Sequence, residues 1–301
     1  AALTIAVGLS GHYTRGFETI WLGRQTQELR DLYAILQKAN VRHNSTKLLE
    51  ELNLSRDCRF EADGLNPEIA EKLMNCAESY GPGYAILGDS HANDLFNISL
   101  LSTEFPFIVS FAKNACRAHT AGPECYYDEF KELVEDQPDV FSKIIYEQAG
   151  FYLLRSDRKK GTRQLFSKLS MEEKITGIYI DKEYSKNTLQ YLEELSGYTD
   201  VLWFGPRIEP HIPRNFIYGR GCDYPYNLRN GQRDKFDDLD RYLSNAAIGS
   251  QVNYVSQIEL FQFHFPDDFI NCNAMYWRDG DHMSKDGAKH FSEKFTLIPS
   301  S

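Results

Sequence analysis

Apolar positions recur along this chain with two different periods, and the change between them divides it. From Thr26 to Lys38, Leu29, Leu32, Tyr33 and Leu36 fall on one face at helical spacing, which predicts an amphipathic helix. Pro67 to Cys76 predicts another, with proline at its start. Gly81-Pro82-Gly83 then breaks the pattern. Beyond it, short apolar runs follow at Tyr84 to Leu87, Phe105 to Phe111, Val140 to Tyr146, Thr176 to Ile180 and Val201 to Phe204. Helical stretches lie between them, such as Thr188 to Leu195 and Asp234 to Asn245. Val252 to Leu260 is read as the last strand or the approach to it, and Ser284 to Phe295 as a closing helix. This alternation predicts a parallel sheet covered on both faces. The expected organisation is a helical extension, residues 1–80, packed on an α/β core of residues 81–301.

Composition narrows the possibilities. A length of 301 residues suits one large domain, or one domain with an accessory segment. Net charge is −10, without the basic clustering of a nucleic-acid binder. The one dense basic run, Arg155 to Arg163 with Arg158, Lys159 and Lys160 inside it, reads as a solvated loop, the alternative being contact with an anionic glycan. No apolar stretch approaches the roughly 18 residues of a membrane helix. Ala1 to Leu9 lacks the positive start and cleavage site of a signal peptide, and the chain opens without Met, which reads as a piece of something longer. The six cysteines, Cys58, Cys76, Cys116, Cys125, Cys222 and Cys272, are an even count that suits an oxidising compartment. Six cysteines allow about 15 connectivities, and sequence alone does not choose among them. No Cys-x-x-Cys and no zinc-type His spacing occurs, so no metal is expected.

Two short blocks carry candidate chemistry. Gly88-Asp89-Ser90-His91 follows the Tyr84 strand and precedes an expected helix, Asn93 to Leu101. A serine there stands at the carboxyl end of a strand, where ligands bind in open parallel sheets. Its own amide lies at a helix start, a natural oxyanion donor. The same tetrapeptide also fits a plain helix cap. Near the C-terminus stands Asp279-Gly280-Asp281-His282-Met283-Ser284. An aspartate three residues before a histidine can accept from the imidazole, and a serine hydroxyl needs such a base. Together the blocks make Ser90 the candidate nucleophile, His282 its base and Asp279 the carboxylate that orients the base. No phosphate loop or dinucleotide motif is present, so no cofactor is expected.

These blocks resemble the SGNH hydrolase superfamily, with Gly-Asp-Ser early and Asp-x-x-His late. More closely, the chain is similar to the SGNH domains fused behind acyltransferase-3 membrane domains in bacterial surface-glycan O-acetyltransferases. The resemblance rests on Cys76 before the strand, Gly88 to Ala92 and Cys116, then on Cys272, Tyr276, Asp279, His282, Met283, Ser284, Gly287 and Ala288. It implies an SGNH-like, flavodoxin-like three-layer α/β/α fold. The fold would form the catalytic domain of residues 81–301, behind the linker of residues 1–80. Ala1 to Gly16 would be the exit from a membrane helix. Two positions depart from the superfamily pattern. Ala115 stands where a glycine amide usually completes the oxyanion hole. After the Val140 strand, Glu147-Gln148-Ala149-Gly150 offers no asparagine, leaving Gln148 as the candidate amide donor. His91 is read as structural or substrate-side rather than as the base.

The implied function is periplasmic O-acetyl transfer through a Ser90 acyl-enzyme to a hydroxyl of a cell-surface glycan, such as lipopolysaccharide O-antigen. The acetyl donor would be delivered by a fused acyltransferase-3 domain. The alternative is a stand-alone carbohydrate acetylesterase with the same triad. A binding domain without activity is a further reading, motivated by the absent asparagine and opposed by the intact Ser, Asp and His. The periplasmic reading and the spacing lead us to expect sequential disulfides: Cys58–Cys76, Cys116–Cys125 and Cys222–Cys272.

Overall fold

In a computed structural model, which describes residues 18–41, 45–102, 105–120, 122, 124–157 and 161–295, helices and strands alternate through most of the chain. In order they are α1 (Glu18–Gly23), α2 (Gln27–Asn40), α3 (Ser45–Glu51), β1 (Arg59–Glu61), α4 (Pro67–Tyr80), β2 (Gly83–Gly88), α5 (Ser90–Ser102), β3 (Ile108–Ala112), α6 (Tyr127–Asp136) and β4 (Phe141–Glu147). There follow β5 (Leu154–Ser156), α7 (Thr162–Lys168), β6 (Ile178–Ile180), α8 (Lys182–Ser196), β7 (Asp200–Phe204), α9 (Arg214–Arg220), α10 (Gln232–Ala247), β8 (Asn253–Val255), α11 (Gln257–Phe261) and α12 (Lys285–Ser292). Ala1 to Gly16 and the run Arg158, Lys159, Lys160 lie outside the described residues.

Six strands form one sheet in the order β1-β3-β2-β4-β7-β8, and every pair in it is parallel. Successive residues of a strand face opposite sides. In β4 the last five residues are all buried, so both faces of the sheet are covered, giving the three-layer α/β/α architecture. The chain runs from β2 outward to β3, then back across to β4. This reversal beside β2 is where an open parallel sheet leaves a crevice at its carboxyl edge. Helix starts are set by local chemistry: the Thr26 side chain accepts from the amide of Leu29, and the Asn66 side chain accepts from that of Ile69.

Two features depart from the pattern reading. The Thr176 run does not enter the parallel sheet; its residues 178–180 pair antiparallel with β5. Tyr179 in its centre is 55% exposed, so this strand has one wet face and cannot sit between helix layers. Conversely, Arg59-Phe60-Glu61 adds an edge strand beside β3 although it contains no apolar run. Edge strands need cover on only part of their surface, so hydrophobicity does not announce them. Residue 81 follows directly on α4, and the segment before it shares the buried core. Leu32, Leu36, Leu48, Leu49 and Leu73, all before it, belong to the same buried cluster as the strands. Lys38 pairs with Asp286 at 2.7 Å, and Glu51 pairs with Lys285, holding α2 and α3 to the start of α12.

All six cysteines are paired in sequence order. Cys58–Cys76 ties the entry of β1 to α4, Cys116–Cys125 closes the loop after β3, and Cys222–Cys272 joins the end of α9 to the segment before Asp279. Three disulfides point to an oxidising compartment.

Candidate active site

Ser90 is the first residue of α5, directly after the strand that carries Gly88. The turn between them is tight. A Cβ on Gly88 would lie 1.7 Å from the carbonyl oxygen of Glu147, and its φ of 150° lies where side chains are rarely tolerated. Asp89, fully buried, clamps the turn: its carboxylate accepts from the amides of His91 at 2.9 Å and Ala149 at 3.0 Å. Burial pushes the Asp89 carboxyl up to about 6 despite those bonds. Ser90 is thus held at a helix N-terminus, whose first amides have no intrahelical acceptor.

The late block forms a closed loop. The Arg278 amide donates to the carbonyl of His282 at 2.8 Å, and the Ser284 amide to that of Tyr276 at 2.9 Å. Within it, Asp279 accepts from the amides of Asp281 (3.1 Å) and His282 (2.9 Å), and from Nδ1 of the His282 ring at 2.9 Å. On the other side of the ring, Nε2 accepts from the Ser90 hydroxyl at 2.8 Å. The carboxylate partner fixes the proton on Nδ1, which leaves Nε2 as the acceptor. Burial disfavours charge on both members of the pair. Their mutual hydrogen bond wins: it holds the Asp279 carboxyl far below the usual range and, with the charges of Asp94 and Asp281, raises His282 above its ordinary value.

The loop is pinned to α5 by a buried ion pair that the sequence reading missed. Arg207, fully buried just beyond β7, donates to Asp94 at 2.5 Å and to the backbone carbonyl of Asp281 at 3.0 Å. The amide of Met283 donates to the same Asp94 oxygen at 3.0 Å. Asp94 lies four residues after Ser90, on the same helical face, with Asn93 and Asn97 beside it. That polar stripe in an otherwise apolar helix was the available signal.

Ser90 and His282 open onto a cleft of about 320 Å³ that Asn93, Asp94, Asn97, Asn114, Ala115, Glu61, Tyr152, Arg163 and Arg278 also line. Ala115, expected as the second oxyanion donor, is at the cleft with a φ of 64°. This left-handed conformation favours glycine. Gln148 is not brought to the cleft. It is buried, and its Oε1 accepts from the Tyr146 hydroxyl at 2.5 Å. The whole turn after β4 faces inward, since Glu147 accepts from Gln257 at 2.7 Å and the Ala149 amide donates to Asp89. Gln148 is therefore not among the residues that line the cleft. His91 is fully buried, its ring edge-on to that of His282 with centroids 5.6 Å apart, and it does not line the cleft. Burial holds it neutral. Of the basic run, Arg163 reaches the cleft.

One group of potential metal ligands, His91, Asp281 and His282, lies beside the triad. In this arrangement the His282 ring is engaged by Asp279 and Ser90. A serine hydroxyl, an oriented imidazole and amides at a helix start can form and resolve an acyl-enzyme.

No family model matches the chain, and no curated protein matches it. Among solved structures it is similar to a proposed SGNH hydrolase from Slackia heliotrinireducens, at 12% identity and a TM-score of 0.44, over 70% of this chain and 95% of that one. It is also similar to a proposed platelet activating factor from Streptococcus pneumonia, at 14% identity and a TM-score of 0.41, over 83% of this chain and 95% of that one. A salicylyl-acyltransferase from a tetracycline biosynthetic pathway matches at 13% identity and a TM-score of 0.32, over 71% of this chain and 52% of that one.

Proposed function

We propose that this chain is a serine acyltransferase or esterase domain that moves an acetyl group through Ser90. The observation that carries the reading is the relay Ser90–His282–Asp279, with contacts of 2.8 Å and 2.9 Å on the two ring nitrogens. Ser90 Oγ attacks the carbonyl carbon of an acetyl ester or thioester while His282 Nε2 takes its proton. The oxyanion is met by the amides of Ser90 and Ala115. His282 returns the proton to the leaving group, and the acetyl remains on Oγ. An acceptor hydroxyl then gives its proton to Nε2, takes the acetyl, and frees Ser90 as His282 returns that proton to Oγ.

The acceptor we propose is a glycan hydroxyl, as the resemblance of the two sequence blocks implies. The cleft supports it in its polar lining, to which Asn93, Asn97 and Asn114 contribute. The disulfides favour a periplasmic site, and the resemblance implies donor delivery by a fused acyltransferase-3 domain. Water in place of the sugar would make the same site a carbohydrate acetylesterase.

The test is acetyl release from an aryl acetate by the isolated chain, with and without a sugar acceptor, and with acetyl-coenzyme A as an alternative donor. We expect slow hydrolysis of the aryl ester, abolished in Ser90→Ala, and no use of coenzyme A, because no phosphate-binding loop is present. Hydrolysis that survives Ser90→Ala contradicts the reading. Efficient transfer from acetyl-coenzyme A contradicts the separate donor.

A further inference from the structure

His282 faces two carboxylates, and the triad uses one. Asp281 Oδ1 lies 3.6 Å from His282 Nδ1, and Asp281 Oδ2 lies 3.7 Å from Nε2 of His91. Arg163 reaches Asp281 Oδ1 at 3.5 Å. Among the described residues these three basic groups lie within 4 Å of the Asp281 carboxylate, and the buried Glu209 and His211 act on its charge from farther away. The two carboxylates also differ in exposure. The side chain of Asp279 is 42% exposed and that of Asp281 is 4%. A short hydrogen bond gives Asp279 the geometric role, but water screens its charge. Asp281 is too far for a hydrogen bond, yet its charge acts through the protein interior, where attraction is several times stronger.

We propose that Asp281 is a second carboxylate for His282, a positioning residue that stabilises the imidazolium formed when the ring takes the proton of Ser90. Burying a carboxylate is costly unless basic groups answer it. Here Arg163 answers it in the resting site and His282 adds to it when protonated. His91, neutral and fully enclosed, lies against Asp281 on the other side from His282 Nδ1, its Nε2 3.7 Å from Oδ2. The other charged groups around the ring are Asp279 and Arg278 on its own loop, Asp94 on α5, and Arg207 beyond β7. Of these, Asp94 is already matched by Arg207. The kinetic consequence rests on His282 being the base of Ser90; the effect on the ring does not.

The test follows the His282 ring by NMR titration in the whole chain, alongside the pH dependence of aryl acetate hydrolysis. In Asp281→Asn the titration midpoint falls by about one pH unit, as expected when a carboxylate within 4 Å is removed. The acid limb of kcat/KM follows it, kcat drops about tenfold and KM is unchanged. Asp281→Glu recovers most of both. In Arg163→Gln, which frees Asp281 from its partner, the midpoint rises. An unmoved midpoint in Asp281→Asn overturns the proposal. Should that variant fail to fold, an unmoved midpoint in Arg163→Gln overturns it. If the midpoints move as stated in a protein without esterase activity, the role of Asp281 toward His282 stands and the reading of Ser90 falls.

Discussion

Ser90 and His282 stand 192 positions apart in sequence and 2.8 Å apart in space. Nearly every constraint around them serves that distance. Gly88 and Asp89 fix the serine at the start of α5, and Asp94 with Arg207 holds the histidine loop against the same helix. Ser90→Ala and His282→Ala are expected to remove ester hydrolysis to near background. Asp279→Asn is expected to lose two to four orders of magnitude, because the amide favours the wrong imidazole tautomer. Initial rates on an aryl acetate, with circular dichroism as a folding control, check all three.

The pH dependence has a definite sign. Burial works against charge on His282, but the Asp279 hydrogen bond and the charges of Asp94 and Asp281 raise its pKa overall. The base must be neutral to act, so kcat/KM should rise with pH along a limb centred above the ordinary histidine value of about 6.5. The same shift makes a stability contribution that is complete below about 6.5 and lost as pH rises through the raised value. A limb centred well below 6.5 contradicts the assignment.

Arg207 is a structural risk point. Arg207→Met leaves Asp94 buried beside a missing partner, and losing one member of a buried pair costs about 3–5 kcal/mol. Urea unfolding should show that loss. Activity should fall further than the unfolded fraction explains, because the Asp281 carbonyl loses its donor and Asp94, which holds the Met283 amide, loses its counter-charge.

Cys222–Cys272 closes a loop of 50 positions and ties α9 to the segment that leads into Asp279. In the chain-entropy model such a bridge contributes about 4 kcal/mol. Titration with a reductant should lower the hydrolysis rate before near-ultraviolet dichroism is lost. Simultaneous loss of both would show that the bridge supports the whole fold rather than the loop.

The parallel sheet was legible because its inner strands are buried on both faces and so read as apolar runs, as at 84–87 and 140–146. The edge strand Arg59–Glu61 was not, since it carries charge at both ends. The 178–180 run misled because three apolar-looking positions do not reveal whether one face is wet. In the site, Ser90, Asp279 and His282 were readable as local spacings. Asp94 was within reach from its place four residues after Ser90. Arg207 was not, because its partner lies 113 positions away, and nothing local marks a lone arginine as buried. Gln148 fitted the third block by its place after the 140–146 strand and its side-chain amide, and the inward turn after β4 was invisible in sequence.

The central claim is that Ser90 becomes acylated. The direct measurement is to mix the protein with an activated aryl acetate, quench within one turnover, digest, and locate the acetyl group by tandem mass spectrometry. The account predicts acetyl on Ser90, formed in a burst, and its absence in His282→Ala. Acetyl release with no label on Ser90, or a label confined to another side chain, contradicts it.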